Sequence, residues 1–148
     1  MSRFPVHGNT LSELQHHRRM ETSFSITETG RLDAFTKTWT ADPWKGFTGT
    51  VIVFLITDEQ IIHATEPHSY GVDGVRVGDP SREDYWYEDI PIDVVEKMNS
   101  YAIWHAHTPI DRVTPDKFKE WAEAIGPFIQ VFTSPIKLHS TEETRKVK

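Results

Sequence analysis

The sequence predicts an α+β fold that is rich in β-strand, an antiparallel β-sandwich or partly closed barrel with two or three short flanking helices. Residues 22–40 alternate with a period of two, Phe24 and Ile26 between Ser and Thr, then Phe35, Lys37 and Trp39 against Thr36, Thr38 and Thr40. Val51 to Ile56 is apolar at every position and rich in branched residues, as a central strand covered on both faces requires. Helical signals are short and suit helices at the ends of the sheets or on one flank.

With 148 residues, 37% hydrophobic and 26% charged, the chain is long enough to bury a core without staples. Eight Phe, five Trp and four Tyr separate it from the composition of disordered chains. One domain spanning 1–148 is expected, with 1–9 and 139–148 as frayed tails; no repeat or low-complexity tract divides it.

In chain order, Thr10-Leu11-Ser12-Glu13 has the spacing of a capping box, and Leu11, Leu14 and Arg18 follow at helical intervals, so a short N-terminal helix is expected. The alternating segments from Thr22 to Thr40, turned at Gly30, form a hairpin with Thr along one face. After the Pro43 and Gly46 loop comes the central strand. The step Thr57-Asp58-Glu59-Gln60 returns the chain through Ile61 to Ala64, pairing Ile56 with Ile61 and placing Phe54 opposite His63. Residues 66–83, broken by Pro67, Gly71, Gly74, Gly78 and Pro80, read as an extended loop or two brief edge strands. Tyr85-Trp86-Tyr87 is a strand, Pro91 to Ser100 a short helix, and Tyr101 to His107 a strand. Thr114-Pro115 starts a helix whose apolar face is Phe118, Trp121, Ala122 and Ile125, and Gly126 caps it. Phe128 to Thr133 completes the strands.

The absence of cysteine removes disulfides, thiolate metal sites and a cysteine nucleophile, and suits a reducing compartment. A formal net charge of −6 speaks against a dedicated nucleic-acid binder. Met1 to Met20 contains no apolar stretch of the length a signal peptide or membrane span needs, so a cytoplasmic protein without a membrane partner is expected. No phosphate-cradling loop, dinucleotide turn or Gly-x-Ser-x-Gly elbow occurs, and Gly46-Phe47-Thr48-Gly49 precedes a strand, where a turn explains its glycines.

Two constellations remain. In Trp104-His105-Ala106-His107-Thr108-Pro109-Ile110-Asp111, a strand period puts His105 and His107 on one face, and Asp111 is placed to return as an oxygen ligand. Two histidines and a carboxylate leave open positions on zinc or iron, the candidate cofactors, and such positions activate water or oxygen. His63 is the candidate third histidine, with His68 behind it; His16 and His17 on the expected helix point too far apart to converge. The segment resembles, over about ten residues, the His-x-His with a following acid of cupins and the His-x-His-Pro of JAMM metalloproteases. It differs in carrying Asp111 where a cupin has Glu, and Thr108 before Pro109.

The second constellation is aromatic: Tyr70, Tyr85, Trp86 and Tyr87, beside Trp39 and Trp44, exceed what one core strand needs and suit a ligand or partner surface. Tyr85 and Tyr87 must share one face and Trp86 the other. The acids Asp84, Glu88 and Asp89 beside them read as a charged edge that blocks aggregation. The expected function is a non-catalytic binding module that presents Tyr70, Tyr85, Trp86 and Tyr87 to a small molecule or protein. The alternatives are a metal-dependent hydrolase or oxygenase using His105, His107, Asp111 and His63, and a small barrel cyclase or isomerase.

Overall fold

The computed structural model describes residues 3–15, 17–58, 60–107 and 129–132. Among these, strands β1 (Val6–Leu14), β2 (Arg18–Ile26), β3 (Arg31–Thr40) and β7 (Ser81–Asp89) form one antiparallel sheet in the order β1-β2-β3-β7. The second sheet is built on β4 (Phe47–Thr57). One side of β4 carries β5 (Gln60–Ala64) and β6 (His68–Val72), and the other carries β8 (Ser100–Ala106) followed by β9 (Gln130–Val131). A single six-residue helix, α1 (Ile92–Lys97), links β7 to β8 among the described residues. The sheets are separate, without closure into a barrel, and share one core.

β4 holds that core because both of its faces are apolar. Val51, Val53 and Leu55 point between the sheets, against Met20, Phe24, Ile26, Leu32 and Tyr101. Ile52, Phe54 and Ile56 point the other way into a second cluster with Ala102, Trp104 and Ile129. Edge-on packing of Phe24 against Tyr101, ring centroids 5.1 Å apart, ties the two sheets together. Gly49 lets β2 approach: a Cβ there would collide with the Met20 sulfur.

The hairpin forms as the alternation predicts, turned at Gly30, whose φ of 99° is one that glycine accepts without strain. Its threonines are the inner face. Thr22, Thr36, Thr38 and Thr40 are buried, whereas Phe35 lies outside. Branched Thr packs well between strands, and a buried hydroxyl is tolerated where it finds a partner, as Thr22 and Thr36 do in each other at 2.9 Å.

Two expectations are corrected. The segment from Thr10 is strand, not helix: Val6 and Gly8 are buried, and β1 pairs with β2 continuously from Val6↔Ile26 to Leu14↔Arg18. Nine ladder positions outweigh a local capping motif. Ile56 does face Ile61, but His63 lies opposite Leu55 and Phe54 opposite Ala64, because the register shifts between Leu55 and Ile56. The expected helix at 114–126, Asp111, His16 and the expected tail 139–148 lie outside the described residues, and Gln130–Val131 is the described part of the expected last strand; of residues 1–9, expected as a frayed tail, Val6 to Asn9 instead form the first part of β1, paired with β2.

Candidate functional site

The phase of β7 divides the aromatic set. Tyr85 and Tyr87 stand on the outer face of the first sheet, 49% and 54% exposed, and Phe35 from β3 joins them at 61%. Phe35 is the cross-strand partner of Tyr85, with ring centroids 5.3 Å apart, and Tyr85 and Tyr87 stack 6.2 Å apart at 25°. Polar groups fix the row in place. The Arg31 guanidinium lies 4.0 Å from the Tyr87 ring centroid and donates to the Tyr85 oxygen at 3.1 Å and to Asp33 at 3.1 Å, while the Tyr85 hydroxyl donates to Asp33. These bonds hold the Asp33 carboxyl below its ordinary range, the Tyr85 hydroxyl being the main cause and Arg31 adding to it. The result is a strip of three ordered rings open to solvent.

Trp86 and Tyr70 belong to the opposite side. Trp86 is 4% exposed, its ring 4.3 Å from that of His68, and its indole N–H donates to Thr36 at 3.0 Å. Tyr70 is half-buried against the core beneath Arg82; burial, with Asp84 adding to it, pushes its phenol up to about 12. The acidic edge is engaged: Arg82 holds Asp84 at 2.7 Å, and Glu88 pairs with His63 at 2.9 Å while accepting from the Glu66 backbone.

The histidines do not converge. His105, 9% exposed, points between the sheets, and both ring nitrogens are used, Nε2 with Thr22 at 2.9 Å and Nδ1 with Ser12 at 2.8 Å. A chain of polar contacts thus crosses the core from Trp86 through Thr36, Thr22 and His105 to Ser12. His107 lies beyond the end of β8, exposed, in a cleft of about 530 Å³ with Gln15, Arg18, Asp42, Trp44 and Lys45. His63 faces Leu55 and His105 faces Val51 on opposite sides of β4. At about 3.3 Å per residue, their levels along β4 differ by about 13 Å, too far for one ion. Among the described residues no three His, Asp or Glu side chains are grouped to hold a metal.

Ser12 beside His105 has the outline of a nucleophile and base. Burial, however, pushes the His105 imidazole down to about 4. Accepting the Ser12 proton would create an imidazolium that this site disfavours, and neither ring nitrogen bonds a carboxylate that would stabilise it. The pair is therefore suited to a fixed hydrogen bond more than to proton transfer. Zinc at His105 would have to displace Thr22 or Ser12. Equimolar zinc is accordingly expected to leave the thermal midpoint unchanged; a rise that disappears in His105→Ala would show a metal site.

Phe35, Arg31 and Asp33 were missed in the sequence. The signal was present in the parity of Phe35 with Lys37 and Trp39, but it is read correctly only once the Thr face is assigned to the interior. No family model, curated protein or solved structure matches the chain.

Proposed function

We propose that the protein is a non-catalytic interaction module, a β-sandwich that offers the Phe35, Tyr85 and Tyr87 strip to a partner. The observation that supports this reading is the strip itself: three contiguous rings, each about half exposed or more, the two tyrosines held by Arg31 and Asp33 and Phe35 packed against Tyr85. Rigid, half-wet aromatic and Arg side chains are the groups that dominate binding energy at interfaces, because they bury much area and lose little side-chain freedom. Their ordering before any partner arrives lowers the entropic cost of association. No helix in the described residues is long and apolar enough to cross a membrane, so nothing there assigns the exposed rings to a spanning helix.

Selection of binders from a random peptide library, followed by comparison with the triple variant Phe35→Ser, Tyr85→Ser, Tyr87→Ser, tests the proposal. Enriched binders should lose at least about tenfold in affinity on the variant, while its unfolding free energy changes by no more than about 0.5 kcal/mol per substitution, as for exposed sites. Binders indifferent to all three substitutions would place the surface elsewhere.

A further inference from the structure

The two tyrosines of the strip lie on a sheet edge, and the hydrogen-bond phase of that edge is fixed. β7 pairs with β3 alone among the described residues, and the register runs without interruption from Arg31↔Asp89 to Trp39↔Ser81. Just beyond its two ends, Ile90 N–H donates to Gly30 at 2.7 Å and Thr40 N–H donates to Pro80 at 2.9 Å. Antiparallel ladders alternate, so the residues that bond β3 are Arg82, Asp84, Trp86 and Glu88. The backbone N–H and C=O groups of Glu83, Tyr85 and Tyr87 point away from β3, along the open edge. The same residues that expose their rings therefore carry backbone groups that no described strand pairs.

Charge at this edge is one-sided. β7 carries four acids and one Arg. Asp84 is taken by Arg82 and Glu88 by His63, which leaves Glu83 and Asp89 at either end of the tyrosine pair without an ion pair among the described residues. Their cross-strand neighbours Lys37 and Arg31 are turned elsewhere, Lys37 over Trp39 and Arg31 over Tyr87. A second copy of the chain brings like charge to like charge, in a protein of net charge −6.

We infer that the open edge of β7 accepts an extended basic peptide as an added strand, with Glu83 and Asp89 facing its Lys or Arg side chains and Tyr85 and Tyr87 flanking its apolar ones. This rests on the strip being the binding surface. Since side chains of one face recur every two residues, the preferred segment is basic, apolar, apolar and basic at alternate positions over seven residues. The backbone bonds supply affinity without sequence preference, and the outward side chains supply the preference.

The probe is the capped peptide Lys-Thr-Tyr-Thr-Phe-Thr-Lys, followed by fluorescence anisotropy and by amide exchange on the full chain. Binding should slow exchange at Glu83, Tyr85 and Tyr87, and methylating the peptide nitrogens of one alternate set should abolish it while methylating the other set does not. Glu83→Lys with Asp89→Lys should weaken binding about fivefold, in the range for two exposed ion pairs, and should favour a peptide ending in Glu. If the peptide binds and the aromatic triple variant loses it, but methylation and edge exchange show no effect, strand addition is overturned and the strip stands. Failure of the peptide to bind, while library binders still depend on the strip, overturns the inference alone. A concentration-dependent dimer protecting the same amides makes the occupant a second copy, which also overturns it.

Discussion

Replacing His105 with alanine is expected to lower the folding free energy by about 4 kcal/mol and to flatten its dependence on pH between 4 and 6.5. The first effect follows from burial: removing a large interior side chain costs about 2–5 kcal/mol, and the hydroxyls of buried Thr22 and half-buried Ser12 each lose a partner. The second follows from the depressed imidazole. In the unfolded chain His105 takes up a proton below about 6.5, while in the fold burial holds it neutral down to about 4. Between those values the unfolded state binds one more proton, so stability rises with pH. The contribution is complete above the unfolded value and is lost as pH falls through the folded one. Over this window the single group contributes about 3 kcal/mol. Desolvation also lowers His68, beside Trp86, with the same sign, so the wild-type slope need not vanish in the variant. Urea denaturation of wild type and His105→Ala at intervals across this range measures both quantities. Equal slopes would mean that His105 is not the titrating group.

Much of the architecture was readable where local pattern and long-range packing agree. β4 announces itself because six apolar residues in succession have no other low-energy place than between two layers. Tyr85-Trp86-Tyr87 had to split across two faces, and does. β1 was misread because its apolar residues do not follow its period: Leu11 is 57% exposed, while the buried partner position is Gly8, against Phe24 and Tyr101. Local capping chemistry then looked stronger than a strand that only pairing with β2 completes. That the threonine face of the hairpin is the inner one is not legible from polarity, since hydropathy takes no account of one hydroxyl satisfying another. His105 stood out by its spacing from His107, but its partners Ser12 and Thr22 lie 93 and 83 residues away in the chain, a separation that no motif spans. What chemistry the histidine does depends on those partners and on burial, not on its spacing from His107.

Trp86→Ala is expected to separate fold from function in the direction opposite to substitutions at its neighbours. Trp86 fills the core side of β7, stacks on His68 and anchors Thr36, which in turn bonds Thr22. Deleting the ring should cost about 3–5 kcal/mol, the usual loss for a buried aromatic. Trp86→Phe keeps most of the packing and removes only the indole donor, leaving Thr36 its bond to Thr22, so about 1–2 kcal/mol is expected. Tyr85→Ser and Tyr87→Ser, one position either side, should leave the unfolding midpoint nearly unchanged yet abolish binding at the strip. Denaturant titrations of the four variants, run beside binding measurements well below each midpoint, test the contrast. In Trp86→Ala any loss of binding should track the unfolded fraction and be restored by a stabilising osmolyte. Binding lost in a fully folded Trp86→Ala chain would make Trp86 part of the recognition surface and would overturn the assignment of β7 faces to core and partner.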